Sequence, residues 1–416
     1  MTASFDIALP DSWNWVPLKF STTFLSRGTA PEYVDDGPVR AVSQAANRAT
    51  GIDWSRTRFH AHVGDSRSLK GYLYSDDILI NSTGTGTLGR IGYFAEGPDD
   101  RPCIADGHVT VTRADRNIIE PRFLFYWMSC APYQDYIYSC LVTGATNQIE
   151  LNRDQLAGTP VVVPPIHVQR RIVDLLDLET GRIDSLAAGQ QRVLNLLEDR
   201  VDSRILEIVG GSRLVDPSGD AVQPAKRLLA KLARATKATG EVITAYRDGQ
   251  VTSRSIRRSE GYTLAASTDP QGQGVEVGDV VVHGLDGFAG AIGDSEADGN
   301  CSPVYHVCAP ADGGNPAFYG RLLRVLAVEN YLGLFATSTR ERAVDFRSWD
   351  LFGNIPIPQV EPLVQHEIGQ MIASIRPLRK EVVRFNALLA ERRLALITAA
   401  VTGQIDVTTA RGGEYV

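Results

Sequence analysis

"NLLEDRVDSRILEIVGG" (residues 195–211) and "ALLAERRLALITAAVTG" (residues 387–403) say nearly the same thing in two places. Leu196-Leu197, Arg200, Ile205-Leu206 and Val209 fall opposite Leu388-Leu389, Arg392, Ile397-Thr398 and Val401 at a constant offset of 192. Upstream, Gln169 and Ile172 match Gln365 and Ile368 at an offset of 196. The difference of four is about one helical turn, so an apolar face survives it.

The duplication reaches beyond these segments, and a period of this size is a statement about architecture. Asp77-Ile78-Leu79-Ile80 corresponds to Asp279-Val280-Val281-Val282, Ile91-Gly92 to Ile292-Gly293, and Asp106-Gly107 to Asp298-Gly299. Pro121-x-Phe123 corresponds to Pro316-x-Phe318, and residues 161–164 to residues 355–358. Each half therefore reads as a strand-rich domain followed by a long helix. Ile172, Leu175, Leu176, Ile183, Leu186, Leu194, Leu197, Val201, Ile205 and Ile208 recur at helical spacing in the first. Ile368, Ile372, Ile375, Leu378, Val382, Phe385, Leu389 and Leu396 do so in the second. Such stripes also suit an ordinary core. Roughly forty residues, however, make about 60 Å of helix, more than the cover of a small sheet requires, which favours a coiled-coil spacer. Gly181 and Pro377 occupy equivalent positions, and both weaken a helix, so a kink or break is expected there.

A chain of 416 residues, 43% hydrophobic and 22% charged, has ample material for two cores. Its five cysteines contain no CxxC pair, and an odd number fits no closed disulfide framework; a reduced, cytoplasmic setting is expected. The amino terminus lacks the positive start and apolar stretch of a signal peptide, and nothing approaches a membrane-spanning length. The net charge of -7 argues against strong phosphate binding by the chain as a whole. Charge is local, though: Lys226, Arg227, Lys231, Arg234, Lys237, Arg247, Arg254, Arg257 and Arg258 form a basic stretch broken by Glu241 and Asp248. A solvated helix face would give the same run.

"GTGTLG" (residues 84–89) follows the apolar run of residues 77–81 with the spacing of a dinucleotide-binding loop. That loop works only where its glycines open a helix. Here "RIGYFAEGP" follows, with aromatic and β-branched residues and a Gly-Pro stop, so a strand and turn are expected. In the second half the equivalent "GLDGFAG" (residues 284–290) loses the spacing, as suits a variable loop on a common scaffold. His60 and His62 in "FHAH" have no persuasive metal-ligand spacing.

The chain resembles the specificity subunits of type I restriction-modification systems. The resemblance rests on Trp13-x-x-x-Pro17-Leu18-Lys19, on Gly144-Ala145-Thr146-Asn147-Gln148-Ile149, and on Pro160-Val161-Val162-Val163-Pro164-Pro165-Ile166-x-x-Gln169. It rests also on Asp298-Gly299-x-x-Ser302-Pro303-x-Tyr305 and, most specifically, on "LLAERRLALITAAVTGQID" (residues 388–406). Departures lie mainly in the second half: residues 222–229 lack the tryptophan of the first start, and Glu361-Pro362-Leu363 replaces a Pro-Pro step. The resemblance implies an α+β fold in which two strand-rich α/β target recognition domains are joined by two long antiparallel helices, with a pseudo-twofold internal repeat. The boundaries would be 1–165 for the first target recognition domain, 166–211 for the first spacer helix, 212–360 for the second recognition domain, 361–407 for the second helix and 408–416 for a tail.

By the same resemblance each recognition domain would read half of an asymmetric, interrupted site in double-stranded DNA. Two modification (methyltransferase) subunits would dock on the helices, and restriction (translocase) subunits would join them. Catalysis would belong to those partners: S-adenosylmethionine, ATP and magnesium are expected there, with no cofactor or metal in this chain. The residues agree. The single Pro-Pro step follows Val163, not the Asn or Asp that an amino-methyltransferase needs against its target amine, and no GxxxxGK[ST] phosphate loop is present.

Base reading requires side chains that reach base edges, Arg or Lys for guanine and Asn or Gln for adenine. The candidates in the first domain are Arg90, Thr146, Asn147 and Gln148, with Lys70 and Arg153 on phosphates. In the second they are Arg340 and Arg342, with Arg254, Arg257 and Arg258. Leu194, Leu197, Val201, Leu389, Arg392, Arg393 and Leu396 are the candidates for the spacer helices and partner docking, the helices' Leu-rich outer faces being the expected docking surface. Two other classes compete: a coiled-coil adaptor with protein-binding strand domains, and a dinucleotide-dependent oxidoreductase.

Overall fold

A computed structural model describes residue 5 and residues 7–84, 86–143, 149–210, 222–257, 272–311, 313–335 and 345–407. Its contacts divide the chain into two compact units, Met1–Gly189 with Arg384–Val416, and Gln190–Val383. The long helices Ile166–Ile208 and Pro362–Val401 each contribute one part to each unit.

In the first unit a four-stranded antiparallel sheet runs in the order Thr22–Arg27, Val109–Ala114, Asp77–Asn81, Ile91–Phe94. Every residue of the central strand Asp77–Asn81 is buried, because both faces of the sheet are covered. Successive side chains on a strand point to opposite faces. Ile78 and Ile80 accordingly join the core beneath helix Pro121–Ser129, while Leu79 joins a second core with Val42, Phe94 and Val111. Strands Cys103–Ala105, Val39–Val42, Arg58–His60 and Tyr33–Val34 form a further sheet in that order, its first pair parallel. Strand Asn14–Pro17 pairs with Pro160–Val163 and delivers the chain to the long helix.

The second unit has a four-stranded antiparallel sheet of corresponding order: Leu229–Lys231, Tyr305–Pro310, Val280–His283, Ile292–Asp294. Val280 and Val282 face the core beneath helix Pro316–Val328, and Val281 faces a second core with Ile243, Val251 and Val307. Strand Val222–Pro224 pairs with Pro356–Pro358, the counterpart of the strand pair that precedes the first long helix.

Neither long helix is interrupted at Gly181 or Pro377, contrary to the expected break. Burial on either side explains it. Leu176 and Ile183 flank Gly181 and are buried, Leu176 in the core of the first unit, and Ile375 and Val382 flank Pro377 and are buried, Ile375 in the core of the second, so packing outweighs local propensity.

Candidate nucleic-acid interface

The glycine loop of the first unit joins two antiparallel strands, Asp77–Asn81 and Ile91–Phe94, and opens no helix. Gly84, Gly86 and Gly89 take φ of 94°, 79° and 76°, values open to glycine and costly for other residues. The amides of Thr87 and Leu88 donate to Gly84 O at 3.1 and 3.0 Å, and Gly89 N donates to Asn81 O at 2.8 Å, which closes the loop on itself. Its amides are thus used internally instead of converging on a pyrophosphate.

Arg90 leans back into this loop. Its guanidinium donates to Asn47 O at 3.3 Å and to Gly86 O at 3.5 Å, and burial together with the like charge of Arg48 pulls its pKa down. Lys70 is exposed in a turn after the short helix Ser66–Ser68. Arg153 opens the helix Arg153–Ala157; its Nε donates to Leu25 O at 2.9 Å, while the side chain stays 60% exposed. Beside the loop, Thr83 Oγ1 lies 2.9 Å from His108 Nδ1 and donates to Gln44 Oε1 at 3.2 Å, a polar cluster that the motif search did not single out. Thr146, Asn147 and Gln148 lie outside the described residues, as do Arg258, Arg340 and Arg342.

In the second unit four of the nine cations in the basic stretch meet carboxylates. Arg234 meets Asp279 and Glu276, Lys237 Nζ lies 3.9 Å from Asp298, and Arg247 is 2.9 Å from Asp286. Arg257 donates to both oxygens of Asp248 at 2.9 and 2.7 Å and lies 4.1 Å over the Tyr246 ring. It is therefore fastened to its own unit. Arg254 lines a cleft of about 620 Å³ together with Thr244, Tyr246, Arg247, His283, Asp286 and Tyr305. His283 was missed by motif reasoning, yet it has a sequence signal: it closes the "DVVVH" run where Asn81 closes "DILIN" in the first half.

On the long helices, Leu194 and Val201 are buried in the core of the second unit, with Leu197 packed against it. Leu389 is also buried, and Leu396 packs against the core of the first unit. These five pack against their own chain, as residues of spacer helices do, and so do not form the helices' outer face. Arg393 Nε lies 3.6 Å from Asp184, and Arg392 is exposed. The apolar side chains left exposed include others: Leu178, Leu186, Val193 and Leu196 on the first helix, Leu378, Val383, Phe385, Leu388 and Leu394 on the second.

Among the described residues no group of His, Cys, Asp and Glu could hold a metal ion, and no helix is long and apolar enough to cross a membrane. All five cysteines are free, and burial raises the thiols of Cys103 to about 11 and of Cys130, Cys301 and Cys308 to about 12.

Residues 50–194, the stretch that contains the glycine loop, match the family model of the type I restriction modification DNA specificity domain. The match agrees with the motifs. Solved structures similar to the chain include the HsdS subunit from Thermoanaerobacter tengcongensis, 16% identical over 96% of this chain and 99% of that one, with a TM-score of 0.39. A structure described by complex assembly and conformational transition of the type I R-M system is 16% identical over 96% and 100%, with a TM-score of 0.48. The type I restriction-modification S subunit from M. genitalium is 13% identical over 96% and 98%, with a TM-score of 0.43. No curated protein matches the chain.

Proposed function

We propose that the chain is the DNA-recognition subunit of a type I restriction-modification complex. The observation that carries this reading is the specificity-domain match over residues 50–194. The sheet of the second unit, which runs in the same order as that of the first, supports a second reading head. Each head reads one half of a bipartite, asymmetric site in double-stranded DNA, and the two long helices form an antiparallel coiled-coil spacer that sets the gap between the halves. Lys70, Arg90, Arg153 and Arg254, together with Thr146, Asn147, Gln148, Arg258, Arg340 and Arg342, remain the proposed contacts. For Arg90 the reach toward DNA runs through the loop it stiffens.

Two modification subunits dock on the apolar side chains that the long helices leave exposed, with Arg392 beside them, and restriction subunits complete the assembly. The chain itself catalyses nothing. Methyl transfer with S-adenosylmethionine and ATP-driven cleavage with magnesium belong to the partners. Mapping methylated positions in a genome that expresses the chain with its modification subunit tests the reading. An asymmetric motif in two parts separated by unread bases is expected; a continuous or palindromic motif, or methylation by this chain alone, overturns it.

A further inference from the structure

His283 ends the strand Val280–His283 and turns its ring into the cleft of the second unit. Its Nδ1 accepts the amides of Leu285 and Asp286, both at 3.1 Å, which occupies the lone pair on that nitrogen. In a neutral imidazole the proton then sits on Nε2, which faces no hydrogen-bond partner among the described residues. Burial lowers the pKa of the ring, so it stays neutral at physiological pH and offers a single, directed donor. The Tyr305 ring stands edge-on to it with centroids 4.5 Å apart and fixes its orientation.

The cleft adds the Arg254 guanidinium, anchored by Nε to Thr244 Oγ1 at 3.4 Å, and the Asp286 carboxylate, paired with Arg247. Two donor groups in a recess complement a pair of acceptors on one edge, as guanine presents with N7 and O6 in the major groove. The same donors would suit phosphate oxygens; what favours a base pair is the Asp286 carboxylate, which beyond its contact with Arg247 keeps lone pairs that the N4 amine of the paired cytosine can meet and a phosphate cannot. The corresponding position of the first unit holds Asn81. Asn81 is buried there, accepting from Asn47 Nδ2 at 2.9 Å and donating to Gln44 O at 3.1 Å.

We propose that His283 and Arg254 together read a guanine in the half-site assigned to the second unit. The proposal rests on the DNA-recognition reading above and names the base and the donors that it leaves open.

The test is methylome mapping of the intact complex, with its modification subunits, for the wild type and for His283→Asn, His283→Gln and Arg254→Ala. Asn places an oxygen near the position of Nδ1 and keeps the loop amides satisfied, but it removes the distal donor; Gln keeps a donor near the position of Nε2. His283→Asn and Arg254→Ala are expected to lose roughly 5- to 150-fold discrimination at the same single G·C pair of one half-site. The other half-site stays unchanged, and His283→Gln retains the guanine preference. An unaltered motif in His283→Asn overturns the proposal. So does weaker methylation at all sites with no change of motif, which is the signature of a phosphate contact. If the wild type yields no bipartite motif, the DNA-recognition reading falls first and takes this one with it; an intact wild-type motif that ignores these residues sinks this proposal alone.

Discussion

Gln169 and Gln365, 196 positions apart, each make a three-way tie inside their own unit, two of the three bonds corresponding. Gln169 accepts from Glu120 N at 2.7 Å and donates to Pro164 O at 2.7 Å and Ile118 O at 3.2 Å. Gln365 accepts from Asn315 N at 3.1 Å and donates to Val360 O at 2.7 Å and Tyr319 Oη at 3.4 Å. Both side chains are buried, so each one satisfies backbone groups at the start of a long helix and just before the helix that covers the sheet. Replacing either by Ala orphans buried groups at about 1–3 kcal/mol apiece. Gln169→Ala is expected to lower the protection of the first unit, and Gln365→Ala that of the second, as read by hydrogen exchange under mild denaturant. Equal loss in both units from one substitution would contradict the separate ties.

Much of this was legible in the sequence for definite reasons. The paired glutamines, the apolar run Asp77–Asn81 and the strand after the glycine loop follow from periodicity and turn chemistry, which act over a few residues. What failed depended on distant partners. Gly181 and Pro377 leave their helices unbroken because neighbouring side chains such as Leu176 and Ile375 are clamped by cores built elsewhere in sequence. For Leu194, Val201 and Leu389 the spacing leaves spacer packing and partner docking both open, because both helices carry leucines on more than one face; burial decides for packing. Arg257 looked like a free cation until the fold brought Asp248 and Tyr246 to it. His283 became conspicuous only through its loop amides.

Gly320 sets how closely helix Pro316–Val328 approaches the strand Ile292–Asp294. A Cβ there would lie 2.7 Å from Asp294 N and 2.8 Å from the carbonyl carbon of Gly293, backbone on both sides. Overpacking of this kind costs about 1–3 kcal/mol. Gly320→Ala is therefore expected to lower the denaturation midpoint of the second unit despite the better helix propensity of alanine, whereas Gly189→Ala, whose Cβ meets nothing within 4 Å, is expected to be neutral or stabilising. A stabilised Gly320→Ala protein would refute the close approach.

His306 gives the second unit a pH dependence of definite sign. Its Nε2 donates to Phe346 O at 2.6 Å, and its Nδ1 is buried without a hydrogen-bond partner. Burial, aided by the charge of Lys231, lowers its pKa below the ordinary 6.5. Above 6.5 the folded and unfolded chains both hold it neutral. As pH falls through that value the unfolded chain takes up a proton that the fold resists, so stability is lost toward the lower folded pKa. His283, also lowered by burial, adds in the same direction. Denaturant midpoints measured from about pH 7.5 down to pH 5.5 should fall, and His306→Gln should flatten the decline. A decline of undiminished slope in that variant would rule out His306 as its source.

Charge bookkeeping points to weak DNA binding by the isolated chain. The net charge is -7, and Arg234, Lys237, Arg247 and Arg257 already face carboxylates of their own unit. Each of these pairs must be shared or broken before its cation can displace counterions, so both affinity and salt dependence should be small. Mobility-shift titrations with a duplex containing the mapped site should show weak retention by the chain alone and much tighter retention once modification subunits are added. Tight binding by the isolated chain with a steep salt slope would count against a division of labour in which partners supply the phosphate contacts.

Helix Ile166–Ile208 passes through Gln190 without interruption, so the number of residues there is a length. Under the proposed spacer role, adding four residues beside Gln190 extends the helix by about 6 Å and turns it by slightly more than one full revolution. The apolar stripe keeps its face, and the side chains that would read bases are untouched. Half-sites read from one face of B-DNA lie roughly 34 Å apart, so an added 6 Å corresponds to about two base pairs. Methylome sequencing of the insertion variant is expected to return the same bases in both half-sites with a longer unread gap. Altered half-site bases, or an unchanged gap with full methylation, would show that the helices do not measure the distance between the sites.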